Sequence, residues 1–250
     1  MIRWWNPVEV VAAHQERAVV RVGGLFLKID SDPVRMATEL DAMDRAPVPT
    51  PAVVWHRSPV VALSPLPGRP LAQLGAEDRS STRAWASAAM AARLLHGAPL
   101  PPARGWRADD FAAHAERSCR WIVDHDVADA RLVEAVFRKA TAAFRDFPLV
   151  FTHGDYQAAH VFVEDDEVTG IIDWADSCQG DPLYDLAVLT VGHEERLEDV
   201  IEGYGTDIDA DLDVIRGWWA FRRLAAIPWM VEHGYDAGGD VEALRRTAGA

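Results

Sequence analysis

The chain has 250 residues, 49% of them hydrophobic and 26% charged, with 17 Gly and 15 Pro. That is enough for one sizeable core or two lobes around a cleft, and it lies outside collagen-like and disordered compositions. The formal charge is −14, with 22 acids against 6 arginines from Asp155 onward. This argues against nucleic acid or an anionic membrane as partner.

No apolar run reaches the roughly 18 residues of a bilayer span, Leu224 to Val231 being typical of the longest. Pro7 and Glu9 interrupt the start before a signal-peptide core can form, so the expected location is the cytoplasm. Cys119 and Cys178 lie without a CxxC or a metal-type pattern and read as plain thiols. The acidic second half can attract a cationic ligand, or serve only as a solvated face that keeps the protein soluble.

In chain order, AVVRV (Ala18 to Val22) and LFLKID (Leu25 to Asp30) flank Gly23-Gly24, a hairpin turn signal. Asp32-Pro33 starts a helix whose stripe is Met36, Leu40 and Met43. The first sixty residues alternate in short β-like runs, of which AVVRV and LFLKID are the clearest pair, and with two further runs, Ala52 to His56 and Val60 to Ser64, the order reads β-β-β-α-β-β. The segment Pro65 to Pro70 is the strongest punctuation and reads as a linker. Beyond it come helical stretches, Glu77 to His96, Asp109 to Asp126 and Asp129 to Phe147. A strand, Leu149 to Asp155, and a hairpin, Val161 to Val163 with Val168 to Ile172, follow. From Asp181 the pattern is helical again, including Ile215 to Val231.

Two groups of residues carry chemistry. Of the 25 cations only Lys28 and Lys139 are lysines, so a lysine in mid-strand of an apolar run calls for a reason. Glu39, inside the apolar stripe of the following helix, needs a cationic partner, and Lys28 is the candidate; a chance surface pair is the bland alternative. The second group is His153-Gly154-Asp155 at one strand end, His160, and Asp173 after the hairpin. Two carboxylates delivered by neighbouring strand ends can bind Mg²⁺ and orient a hydroxyl, whereas each alone would read as a turn cap.

The strings HGDYQAAHVFV and GIIDWADSCQGDPLYDLA are similar to the signature of the aminoglycoside phosphotransferase and choline kinase-like family, small-molecule relatives of the protein kinases. The resemblance runs from about Ala18 to Gly205. It implies an α+β, bilobal protein-kinase-like fold with a small N-terminal antiparallel sheet and one helix, and a larger, mainly helical C-terminal lobe. The expected division is residues 1–64 as nucleotide-binding lobe, 65–70 as hinge and 71–250 as C-terminal lobe.

The activity implied is ATP- or GTP-dependent transfer of the γ-phosphoryl group to a hydroxyl of a small molecule. An aminoglycoside or another cationic or sugar-like acceptor fits; a non-catalytic nucleotide-binding or regulatory module is the alternative. By resemblance, Asp155 is the catalytic base, Asp173 the main Mg²⁺ ligand, and Lys28, held by Glu39, the ligand of the α- and β-phosphates. Phe26, on the same strand face as Lys28, would lie against adenine, with the backbone of Ser64 and Leu66 at its edge. Asp181 and Asp185 read as capping and bracing residues.

This chain departs from the family at two places. His160 stands where the family has an asparagine metal ligand. Imidazole suits Mn²⁺ better than Mg²⁺, and the role is open among metal ligand, phosphate donor and structural histidine. The turn Ala13 to Arg17 lacks glycines that would close over phosphates.

Overall fold

In the computed structural model, which describes residues 8–13, 17–73, 75, 77–205 and 211–249, the Gly23-Gly24 turn joins two paired strands as its sequence predicts. The N-terminal elements are β1 (Val8–Ala13), β2 (Arg17–Val22), β3 (Leu25–Asp30), α1 (Pro33–Arg45), β4 (Val53–Arg57) and β5 (Val60–Leu63). The strands form one antiparallel sheet in the order β1-β2-β3-β5-β4. Lys28 pairs with Val19 on one side and Val61 on the other, so the sheet holds it on two flanks.

The α1 helix starts where the sequence supplies a cap: the Asp32 carboxylate accepts from the amides of Val34 and Arg35, at 2.8 and 3.3 Å, with Pro33 in the first turn. Its buried residues are Met36, Glu39, Ala42 and Met43, which places a carboxylate in the middle of an apolar face. The three non-glycine turn residues His14 to Glu16, part of the glycine-free turn noted above, lie outside the described residues.

Beyond Leu63 the elements are β6 (Arg69–Pro70), α2 (Thr82–His96), α3 (Ala108–Asp124), α4 (Ala130–Ala140), β7 (Val150–Thr152), β8 (Val161–Glu164), β9 (Glu167–Ile171), β10 (Cys178–Gly180), α5 (Pro182–Thr190), α6 (Leu197–Tyr204), α7 (Leu212–Glu232) and α8 (Gly238–Gly249). The sheet and single helix before Leu63, and the helix-rich remainder, make the α+β architecture the sequence implies.

The Pro-rich segment ends in structure of its own, since β6 pairs antiparallel with β8, Arg69 opposite Val163. Gly68 permits this approach: its φ is +79°, and a Cβ there would lie 2.2 Å from the Val163 carbonyl oxygen. The α2 helix begins five residues after Glu77. Asp78 instead accepts from the Ser80 amide (2.8 Å), the Trp85 indole (3.0 Å) and Arg196 (2.6 Å), tying the approach loop to α2 and to the turn before α6.

The main core lies under α2, α5 and α7, where Trp85, Trp174 and Trp218 are fully buried. Packing rather than ligand binding accounts for Trp218, whose ring meets Phe111, Tyr184 and Phe221 edge-on. Trp106 and Trp229 are exposed. Both cysteines are free, and burial pushes each thiol up to about 11, as expected of inert thiols. Among the described residues no helix is long and apolar enough to cross a membrane.

Candidate active site

Strand β7 delivers the turn His153-Gly154-Asp155. Gly154 has φ +81°, and a Cβ there would lie 2.1 Å from the Asp176 carbonyl oxygen, so only glycine lets the two loops pass this closely. The wholly buried His153 ring locks the turn: Nε2 donates to the Ile172 carbonyl at 3.1 Å, and Nδ1 accepts from the Asp155 amide at 3.3 Å. That pairing requires the neutral ring, and burial lowers its pKa accordingly, against the opposing charge of Asp185.

Asp185 on α5 is the buried brace. It accepts from the amides of His153 (2.7 Å) and Gly154 (3.0 Å) and lies 3.1 Å from His96 Nε2. Asp181 caps α5 through the Leu183 amide and accepts from the Trp218 indole, each at 3.0 Å.

The Asp155 carboxylate faces the cleft. Gln157 Nε2 lies 2.9 Å from both its oxygens, and Arg222 Nη2 on α7 donates to Oδ1 at 2.9 Å. Burial would raise its pKa, but Arg222, His160 and Gln157 outweigh that and hold it below the ordinary aspartate value. An ionised carboxylate results, one able to accept and aim the hydrogen bond of a hydroxyl.

Asp173, after β9, occupies the left-handed region at φ 65° and ψ 61°, a conformation that costs about 1–3 kcal/mol for a non-glycine residue. Its Oδ1 lies 2.6 Å from Lys28 Nζ, and the same ammonium lies 2.7 Å from Glu39 Oε1. Lys28 and Glu39 are 7% and 3% exposed. Burial opposes charge on both Asp173 and Lys28, yet their attraction prevails: the Asp173 carboxyl is pushed down to about 2, and the Lys28 ammonium stays charged with a raised pKa.

His160 closes the gap between the two aspartates. Its Nδ1 donates to the Asp155 carbonyl at 2.9 Å, and its Nε2 lies 3.9 Å from Asp173 Oδ2. Asp155, His160 and Asp173 each offer one ligand atom within 4.8 Å of the others. Two carboxylates and an imidazole nitrogen so placed fit a divalent cation, and the nitrogen suits Mn²⁺ better than Mg²⁺.

Of the residues expected at the adenine edge, Phe26 pairs with Leu63, the residue before Ser64. The Ser64 amide is already donated to the Ala52 carbonyl at 2.9 Å and is not free to donate to a ligand. Leu66 packs over Gly170, where a Cβ would lie 2.4 Å from Leu66 Cδ2. Sequence reasoning missed Gln157 and Arg222. Gln157 stands two residues after Asp155 and was legible as a neighbour, whereas Arg222 lies 67 positions away on a helix with no motif.

A cavity of about 510 Å³ opens beside this centre, reached by Gln157, Ala158 and Ala159 after the His153-Gly154-Asp155 turn, by the end of α5, and by α7 and α8. A shallower groove of about 660 Å³ at Gly68, Arg69 and the β8–β9 turn contains none of the residues above.

The model of a phosphotransferase enzyme family matches residues 8–218. No curated protein matches the sequence. Among solved structures, a choline/ethanolamine kinase family protein from Mesorhizobium loti is similar at TM-score 0.69 and 21% identity, covering 98% of this chain and 88% of that one. Macrolide 2'-phosphotransferase type I matches at TM-score 0.70 and 18% identity, over 98% and 92% of the two chains. APH(2")-IIia in complex with GDP and kanamycin matches at TM-score 0.75 and 18% identity, over 97% and 93%. At these identities the likeness is one of fold.

Proposed function

The chain belongs to the phosphotransferase enzyme family and is a small-molecule kinase, and from that premise we propose that it moves the γ-phosphoryl group of ATP or GTP to a hydroxyl of a small acceptor. The supporting observation is one unbroken chain of contacts across the cleft. It runs from Glu39 to Lys28, to Asp173, to His160 and to Asp155. In this reading residues 1–64 and 71–250 form the two lobes, and residues 65–70 link them.

Lys28, aimed by Glu39, binds the α- and β-phosphates. Phe26 and the carbonyl of Ser64 meet the base, with the Leu66 amide as the donor beside it. Asp173 and His160 hold Mg²⁺ or Mn²⁺, which when bound neutralises charge on the transferring phosphoryl oxygens. Asp155, kept ionised by Arg222 and Gln157, accepts the hydrogen bond of the acceptor hydroxyl, points its oxygen toward the phosphorus, and receives the proton as the new O–P bond forms and the γ-phosphorus bond to the departing nucleoside diphosphate breaks. The acceptor occupies the cavity beside Gln157.

The test is release of nucleoside diphosphate by the purified protein with a verified acceptor. Asp155→Asn should lower kcat by about 10²–10⁴-fold and leave nucleotide affinity nearly unchanged. Near-normal turnover in that variant rejects the base assignment. His160, a nitrogen ligand in an otherwise oxygen site, favours a second reading, a nucleotide-binding module without turnover. That reading gains if nucleotide binds and no acceptor is consumed.

A further inference from the structure

Lys28 brings one positive charge to the cleft, and two carboxylates already share it: its ammonium lies 2.7 Å from Glu39 and 2.6 Å from Asp173. A nucleoside triphosphate carries more negative charge than a divalent ion and a shared ammonium can balance. Where glycines would let backbone amides close over that charge, the stretch Ala13-His14-Gln15-Glu16-Arg17 has none. The cleft calls for one more cation.

The register of the sheet shows where one stands. Residues directly opposite each other on antiparallel strands share a face, as do alternate residues along one strand. Between β2 and β3, Arg21 lies opposite Phe26, Val19 opposite Lys28 and Arg17 opposite Asp30. The far end of this face bears the pairing out, since the Arg21 guanidinium lies 5.8 Å from the centre of the Phe26 ring. Phe26, Lys28 and Arg17 therefore form a row on the face that meets Asp173, each about 7 Å further along the strands than the last. With the base at Phe26 and the α- and β-phosphates at Lys28, the next step along the row is the end of the triphosphate.

Arg17 also has charge to spare. Its neighbour Asp30, 2% exposed, is held by both prongs of Arg35, Nε to Oδ2 at 3.0 Å and Nη2 to Oδ1 at 2.8 Å, and accepts from the Asp32 amide at 2.8 Å. Arg17 adds one longer contact, Nε 3.5 Å from Oδ2, and its side chain stays 31% exposed. Two guanidinium groups on one carboxylate leave a positive charge unmatched among the described residues. Its field reaches the catalytic centre: desolvation and the charges of Asp155 and Asp173 raise the Asp176 pKa, and Arg17 and Arg222 oppose that rise.

Resting on the phosphotransferase reading, we propose that Arg17 binds the terminal phosphates of the nucleotide, supplying from a side chain the charge that a glycine-lined turn supplies from its amides. The guanidinium exchanges its single long contact with Asp30 for phosphate oxygens, whose geometry its planar fork matches. Arg35 keeps Asp30 paired when it does. Arg17 takes no part in the proton transfer.

The experiment uses the full chain. Calorimetry with Mg²⁺ or Mn²⁺ present finds whether ATP or GTP binds; if neither does, the phosphotransferase reading fails and the role of Arg17 with it. For the nucleotide that binds, the tri-, di- and monophosphate are compared. Arg17→Gln should weaken the triphosphate about tenfold or more, the diphosphate less, and leave the monophosphate unchanged. Thermal unfolding confirms that the variant folds. An unchanged triphosphate Kd, or an equal loss for triphosphate and monophosphate, overturns the proposal and leaves the phosphotransferase reading standing, the second result being that of a residue that only braces Asp30.

The parent protein gives a second measurement that needs no variant. Phenylglyoxal, which modifies accessible guanidinium groups, should label Arg17 in the free protein, and peptide mapping should show the triphosphate shielding it and the monophosphate leaving it open. Equal labelling of Arg17 with and without the triphosphate overturns the proposal, and so does an Arg17 that resists the reagent in the free protein.

Discussion

Replacing Asp185 tests whether the catalytic turn is held by a carboxylate that never touches substrate. Asp185 is fully buried and serves three donors, the amides of His153 and Gly154 and the His96 ring, with the two amides on different oxygens. Asp185→Ala strands all three. At about 1–3 kcal/mol per buried unsatisfied donor, and with neighbours that do not add fully, the expected loss is about 3–6 kcal/mol. For a chain of this size that is a fall in Tm of about 10–20 °C. Asp185→Asn keeps one oxygen and turns an NH₂ toward one of the amides, so about a third to a half of that loss should remain. The assay is thermal unfolding followed by circular dichroism, with kcat measured on the folded fraction. If Asp185→Ala unfolds within 2 °C of the parent, the turn is held by other contacts and the bracing argument is wrong.

Lys28→Met should weaken nucleotide binding by about 10–100-fold, the worth of a charge-assisted contact, and calorimetry showing an unchanged Kd would take Lys28 out of the phosphate site. Exchanging His160 for Asn should shift the metal preference from Mn²⁺ toward Mg²⁺, read as the ratio of turnover rates with the two ions; an unchanged ratio makes the histidine structural. Gly154→Ala forces a Cβ to 2.1 Å from the Asp176 carbonyl oxygen at positive φ, and it should cost more than about 2 kcal/mol in chemical denaturation. Stability should also fall in acid through Asp78. Burial would raise its pKa, but the Ser80 amide, Arg196 and Trp85 bring it below 3.8. A lowered folded pKa gives stability that is present above the unfolded value and is lost as pH falls through the folded one, so the decline belongs below about pH 4. In Asp78→Asn unfolding curves that acid limb should be shallower, and an identical limb counts against the assignment.

Much of the N-terminal half was legible because its signals are local. A Gly-Gly turn, an Asp-Pro cap and strict alternation fixed the strand holding Lys28 and the helix holding Glu39 to within a residue or two. The two aspartates were legible through strand ends joined by a hairpin. Two short strands, β6 and β10, were not, because β6 contains a proline and β10 contains a glycine, and each exists only through its partner. The helix expected from Glu77 begins at Thr82, since Asp78 and Ser80 hydrogen-bond side chain and backbone into a loop, and tertiary partners decide that choice. Arg222 escaped for the same reason: its significance lies in what the packing of α7 sets beside Asp155, and no spacing in the sequence encodes it.

The ion-paired burial of Lys28 has a practical side in protein chemistry. With 23 arginines and only two lysines, the chain offers amine-selective reagents very few lysine side chains, and Lys28 is 7% exposed between two carboxylates. An acylating reagent reacts with the free amine, which here must first leave both partners, so Lys139 on α4 should take the label first. Fluorophores or surface tethers can therefore be placed on Lys139 with the cleft left intact. Late modification of Lys28, followed by peptide mapping, would then act as a clock for how often the cleft opens.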